Sequence, residues 1–179
     1  MTISAPHWDL SNVYPGLESN EYQAAVKDLM AKIEAQELLL NQNIALANAD
    51  APLPKLAEGM GQLIEAFNAI FDLSGTLRAY LNSFISTDSH DTTAMRLQSE
   101  FEQANVSLQK LDTRFSAWVG ELTPQLPGII RSNSTVAEHA FILNETAEQS
   151  KYLMSAAEEA LSAELNLSGS NAWSKLQGT

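Results

Sequence analysis

The chain predicts an all-α fold: long antiparallel helices forming a bundle, followed by shorter C-terminal helices. Three observations carry that prediction. Apolar residues recur every three or four positions through three stretches of about thirty residues each. Short turns rich in proline or polar residues separate the stretches, which favours antiparallel neighbours. Few runs alternate strictly between apolar and polar, so strands are not expected. The size agrees, since 179 residues, 45% of them apolar, make about one domain able to bury a core.

Residues 1–18 read as an extended leader, with Trp8, Leu10, Val13 and Tyr14 as apolar anchors and Asn12 and Pro15-Gly16 as turn residues. Ser19 or Asn20 caps a first helix over about 20–48, and Glu21 sits in its first turn near the positive end of the dipole. Its stripe is Tyr22, Val26, Leu29, Met30, Ile33, Leu40 and Ile44. Pro52 and Pro54 break the pattern, and Pro54 suits the first turn of a second helix over about 54–85. That stripe runs from Leu56 through Met60, Leu63, Ile64, Phe67, Ile70, Phe71, Leu77 and Leu81 to Phe84. Gly59, Gly61 and Gly75 lie inside it, each costing roughly 1 kcal/mol against Ala. Either the long stripe outweighs them or one of them marks a kink.

Ser86–Asp91 is a polar turn with several candidate caps, and a third helix over about 92–122 carries Met95, Phe101, Leu108, Leu111, Phe115, Trp118, Val119 and Leu122. Thr123–Gly128, with two prolines, opens a linker over 123–135. Short helices then fill 136–179. One covers 136–149 around Val136, Phe141 and Ile142. Ser155 and Glu158 fit a capping box for the next, which holds Leu161 and Leu165. Ser168–Ser170 caps a last segment with Ala172, Trp173 and Leu176. Thr179 follows so soon after a large apolar side chain that the C-terminus reads as a cut.

The charge excludes whole classes of function. With 22 acidic and 10 basic side chains the net charge is −12, wrong for binding phosphate backbones, so no nucleic acid is expected. No apolar run approaches the ~20 residues of a membrane span, so no membrane contact is expected. Residues 1–7 lack a basic region followed by an apolar stretch, which predicts no secretory signal and a cytoplasmic protein. Without cysteine there is no disulfide scaffold and no thiolate metal site.

The residues that could carry chemistry have simpler readings. Zinc hydrolysis wants two histidines one helical turn apart with a glutamate between them, and no H-E-x-x-H occurs. His7, His90 and His139 stand apart, and His139 follows Glu138 without a second histidine four residues away. Asp88, His90 and Asp91 could hold a weak cation, but caps and a turn explain them better. Glu34/Glu37, Glu145/Glu148 and Glu158/Glu159 read as solvated faces. There is no G-x-S-x-G elbow and no glycine-rich phosphate loop. No catalytic, cofactor-binding or metal residue is assigned, and the 179-residue chain should be inactive alone.

Two stretches resemble a known family. Trp8-Asp-Leu-Ser-Asn-Val-Tyr-Pro-Gly16 looks like the opening Trp-Asp-Leu-x-x-Leu-Tyr of the oligoendopeptidase F group of thimet-oligopeptidase-like zinc metallopeptidases, with Val13 in place of leucine. The second stretch runs from His139 through Lys151–Glu159 to Gly169–Leu176. It is similar to the family's N-terminal signature, a Leu-Ser-x-x-Glu-Glu helix followed by Gly-x-x-Ala-Trp-x-x-Leu. The resemblance implies a truncated portion of a larger α-helical peptidase, with zinc and the H-E-x-x-H helix in an absent catalytic domain of the same parent chain.

On that resemblance, the chain is the non-catalytic helical portion of a zinc-dependent oligoendopeptidase, which hydrolyses peptide bonds in short peptides. It would form one wall of the substrate channel. The implied partners are the catalytic domain and an oligopeptide substrate. One face of the second or third helix would dock on the missing half, so the isolated fragment would self-associate. The alternative is a freestanding helical-bundle protein-interaction module, which has no reason to carry the Leu-Ser-x-x-Glu-Glu to Ala-Trp segment.

Overall fold

A computed structural model describes residues 9–49 and 51–177; His7 and Trp8 lie outside the described residues. The fold is all-α, and no strand occurs among the described residues. Three long helices, α1 (Asn20–Asn48), α2 (Leu53–Thr87) and α3 (Thr92–Glu121), precede five short ones. These are α4 (Leu126–Ser132), α5 (Ser134–Glu138), α6 (Ala140–Gln149), α7 (Ala156–Ser168) and α8 (Ser170–Gln177). A single 3₁₀ turn, Ser150–Tyr152, joins α6 to the segment before α7.

Side-chain caps start four of these helices, α1, α3, α5 and α7. Ser19 accepts a hydrogen bond from the Tyr22 N–H at 3.2 Å, and Asp91 accepts from the Thr93 and Ala94 N–H groups at 2.9 and 3.0 Å. Asn133 serves α5 in the same way through the Val136 N–H. Ser155 and Glu158 form the reciprocal capping box of α7, and the hydrogen bonds from Ser155 hold the Glu158 carboxyl below its ordinary pKa. Ser168 and Ser170 do not cap α8 forward as expected. Their hydroxyls donate back to the Leu165 carbonyl and to Asn166 Oδ1 in α7.

The inward residues of the long helices step by alternating threes and fours. In α1 the series is Tyr22, Val26, Leu29, Ile33, Gln36, Leu40, Asn43 and Ala47; in α2 it is Leu56, Met60, Leu63, Phe67, Ile70, Ser74, Leu77, Leu81 and Phe84. In α3 it runs from Ala94 through Phe101, Leu108, Leu111, Phe115 and Trp118 to Leu122. A 3.5-residue repeat on three neighbouring helices is the pattern of knobs-into-holes packing. Contacts between α1 and α2 set an antiparallel register. Tyr22 lies against Tyr80 (ring centroids 5.8 Å), Gln36 Nε2 donates to the Leu63 carbonyl at 2.9 Å, and Asn43 lies against Gly59. Between α2 and α3, Phe67 meets Phe115 at 5.1 Å and Ser74 donates to Asn105 Oδ1 at 3.4 Å.

Glycine at 59 is what lets α1 and α2 approach so closely. A Cβ there would stand 1.6 Å from Asn43 Oδ1. The glycines put no break in α2, which runs as one helix from Leu53 to Thr87. Gly120 plays a similar part at the end of α3, where a Cβ would meet Ser150 Oγ of the 3₁₀ turn.

Three sequence expectations need correction. Residues 126–132 of the expected linker form α4, because Pro127 falls in its first turn, where a missing N–H costs nothing. Leu126 and Ile129, three residues apart, are buried and draw this turn onto α2. The expected helix over 136–149 divides at His139, whose φ of −100° and ψ of 12° separate α5 from α6. Val136, Leu143 and Ala147 then face inward, leaving Phe141 at 79% exposure. The described part of the leader turns rather than extends. The Val13 and Tyr14 N–H groups both donate to the Leu10 carbonyl, at 2.9 and 3.3 Å. Leu17, not Val13, is buried.

That turn is fastened by tyrosines. The Tyr14 ring meets Tyr22 and Tyr80 edge-on, and the Tyr80 hydroxyl donates to the Tyr14 carbonyl at 2.9 Å. Burial, with smaller contributions from neighbouring Tyr14, Glu100 and Tyr80, pushes the Tyr22 hydroxyl up to about 12 from 10.0. The folded chain therefore keeps a proton that the unfolded chain releases above pH 10. Stability is unaffected by this group below pH 10 and falls as pH rises from about 10 to 12. Thermal unfolding across that range, followed by circular dichroism, should show Tm dropping in wild type and dropping less in Tyr22→Phe. Equal slopes would disprove the assignment.

Candidate functional site

Metal ligands are the first thing a peptidase reading asks for, and the residues here do not fit a zinc site. Among the described residues no group of three or more His, Asp or Glu side chains is placed to hold a metal ion. Both ring nitrogens of His139 are engaged, Nδ1 with the Thr135 carbonyl at 2.8 Å and Nε2 with Asn68 Nδ2 at 3.4 Å. The Asp88–Asp91 turn is spent on backbone. Asp88 Oδ1 accepts from the His90 N–H at 2.9 Å, and Asp91 caps α3.

Four of the paired carboxylates are likewise tied down. Glu37 takes Arg114 at 2.9 Å, Glu148 takes Lys151, Glu158 completes the α7 cap, and Glu159 accepts from the Met154 N–H at 3.0 Å. Such exposed pairs contribute well under 1 kcal/mol each, so they orient side chains more than they hold the fold.

Three surface features remain. One cavity, about 610 Å³, lies between α3 and the segment from the 3₁₀ turn into α7. Ala117, Leu153, Met154 and Ala160 give it apolar walls, and Lys110 and Arg114 stand at its side. Both cations already have partners, Lys110 with Glu164 at 2.6 Å and Arg114 with Glu37 and Asn41. A second, more polar cleft follows the seam between α2 and α3 as two adjoining cavities of about 280 and 260 Å³, the first also walled by Ala163 and Leu167 of α7 and Asn171 of α8.

The third feature is apolar. Eight of the fifteen large apolar side chains exposed among the described residues lie between 141 and 176: Phe141, Ile142, Tyr152, Met154, Leu161, Leu165, Trp173 and Leu176. No residue of α7 is buried, although α7 packs on α3 and α8. Leu161 and Leu165 are one turn apart on one face, and Trp173 and Leu176 share a face of α8. The uncovered surface therefore belongs to the short C-terminal helices. The expectation of an uncovered face on the second or third helix needs correction: α2 buries Met60, Phe67, Ile70 and Leu77 in the core, and only Leu53 and Phe71 among its large apolar side chains stay well exposed.

A family model covers those same short helices. Residues 125–179 match the family model described as Oligopeptidase F. Over these residues the chain is similar to the N-terminal region of oligopeptidase F-type peptidases. The match spans α4 to α8 and contains the Ser155–Glu159 cap and the Ala172-Trp173 pair, while the Trp8–Gly16 opening and the three long helices lie outside it. No curated protein and no solved structure matches the chain. An oligoendopeptidase F N-terminal region implies a catalytic region in the full-length protein. Among the described residues no helix is long and apolar enough to cross a membrane.

Sequence reasoning assigned no site residue, and it missed the polar cleft altogether. Arg78, Asn82, Gln98, Asn105 and Gln109 were visible only as polar positions between apolar ones. The usable signal was the return of carboxamides at 98, 105 and 109, one face of α3, opposite an arginine on α2.

Proposed function

We propose that this chain is the non-catalytic helical portion of a zinc-dependent oligoendopeptidase of the cytoplasm, and that it supplies one wall of the channel through which short peptides reach the metal. The zinc, its ligands and the general base belong to the catalytic region of the same parent chain. The observation that carries this reading is the family match over residues 125–179. Long helices joined by short turns support it, because a stiff wall can admit an extended oligopeptide and turn away a folded protein. The exposed apolar side chains of α6 to α8 supply the surface on which the catalytic region packs.

The test joins assay and assembly. Alone, with zinc supplied, the chain should leave a fluorogenic oligopeptide uncut and elute larger than a monomer at high concentration. Leu165→Glu with Trp173→Glu should return it to a monomer. Co-expressed with the H-E-x-x-H region that continues its reading frame, the chain should form a one-to-one complex that cuts the peptide. A frame that continues without that motif, or hydrolysis by the chain alone, overturns the reading. A chain that stays monomeric and binds no apolar dye removes the docking face.

A further inference from the structure

The cleft between α2 and α3 has the chemistry of an anion site. Arg78, which lines both of its cavities, is the only arginine in them, and no carboxylate pairs with it among the described residues. Among the described residues it makes a long hydrogen bond, 3.5 Å from Nη2 to Asn105 Oδ1. By contrast, Arg96 and Arg114 hold carboxylates at 2.7 and 2.9 Å. A guanidinium left open in a concave site of a chain carrying −12 still offers most of its N–H fork for a planar, two-pronged acceptor.

Asn105 is oriented to help. Its Oδ1 accepts from both the Arg78 guanidinium and the hydroxyl of buried Ser74, so the carboxamide presents Nδ2 as the remaining donor. Asn82, Gln98 and Gln109 line the same cleft, and each carries one acceptor and one donor group, the pair that a peptide unit needs. Asp112, which lines one of the two cavities, disfavours a ligand with more than one negative charge.

We infer that this cleft holds the C-terminal end of a short peptide, with its carboxylate on Arg78 and Asn105 Nδ2 and its last peptide units against the flanking carboxamides. Only the choice of a peptide over another monocarboxylate rests on the peptidase reading. Arg78 acts here as a binding residue and takes no part in bond cleavage.

The test uses the 179-residue chain labelled with ¹⁵N, titrated with tetra-alanine, with tetra-alanine amide and with acetate, and followed through side-chain amide shifts. Tetra-alanine should saturate the shifts of Asn105 and Gln109, and the amidated peptide should bind roughly tenfold more weakly or worse. Arg78→Gln should lose the same factor, and Arg131→Gln, at an unpaired surface arginine outside the cleft, should lose nothing. Arg78→Lys keeps the charge without the fork and should fall between. Equal binding of acid and amide, unchanged binding to Arg78→Gln, or no saturation by tetra-alanine each overturns the site. Acetate binding as tightly as tetra-alanine overturns the peptide and leaves a monocarboxylate site. None of these readouts involves hydrolysis, so the site can fail while the peptidase reading stands, and the reverse.

Discussion

Trp118→Ala should cost about 4 kcal/mol of folding stability, the largest loss expected from any single truncation in the bundle. Trp118 is 1% exposed and sits where α3 meets the rest of the core, with Phe115 6.1 Å away and Phe67 beyond it, its ring tilted against Phe115 at 5.1 Å. Truncation removes the largest fully buried side chain and leaves a void in a close-packed core at the last turn of α3. Domains of this size are stable by about 5–15 kcal/mol, so the variant would lie near the threshold of folding. Trp118→Phe should behave differently. The indole Nε1–H is buried without an acceptor, so replacing the ring by phenyl removes an unpaired donor while losing some apolar area. A net cost of about 1 kcal/mol is expected. Urea unfolding followed by far-ultraviolet circular dichroism would measure both, and a loss under about 1 kcal/mol for the alanine variant would refute this account of the core.

The long helices were legible because their inward positions are mostly Leu, Ile, Phe and Met, so periodicity marked them without help. Where an inward position was polar the same signal went silent. Gln36, Asn43 and Ser74 are 1%, 3% and 3% exposed, and each continues the three-and-four repeat of its helix. No apolarity scale would place them inside; they are there because each reaches a partner or a glycine across the seam. Helix α4 was hidden for a different reason. Pro124 and Pro127 read as breakers, but a proline in the first turn of a helix is an initiator, and only the burial of Leu126 and Ile129 distinguishes the two.

The C-terminal helices show a further limit. An amphipathic stripe states that a face needs cover, not what covers it. Leu161, Leu165, Trp173 and Leu176 mark apolar faces of short helices in the sequence and are exposed in the fold. The family resemblance gave those residues a context that periodicity could not, and the Ser155–Glu158 cap within it was readable from three-residue spacing alone. The Arg78 cleft had no comparable signature. Its polar stripes lie on separate helices, α2 and α3, and α7 and α8 close one side, so it exists only once these helices are packed together.

Gly59→Ala should destabilise the chain by about 2 kcal/mol, although alanine is the better helix former by about 1 kcal/mol. The added methyl would occupy the place of Asn43 Oδ1, 1.6 Å away. Asn43 is 3% exposed and its Nδ2 donates to the Leu39 carbonyl at 2.9 Å, so it can yield only by giving up that bond or by forcing α1 away from α2. Removing the obstruction should reverse the sign. In Asn43→Ala the buried Oδ1, which has no hydrogen-bond partner, is gone, and the space it leaves is what a methyl at 59 would fill. The double variant should therefore be as stable as wild type or more so, with the helix preference of alanine now uncompensated. Equilibrium unfolding of the four proteins gives the coupling energy directly, and about 2 kcal/mol is expected. Additive losses would mean that the two helices do not meet at Asn43 and Gly59. The register of α1 against α2, and with it the facing of α2 toward α3 that forms the Arg78 cleft, would then have to be redrawn.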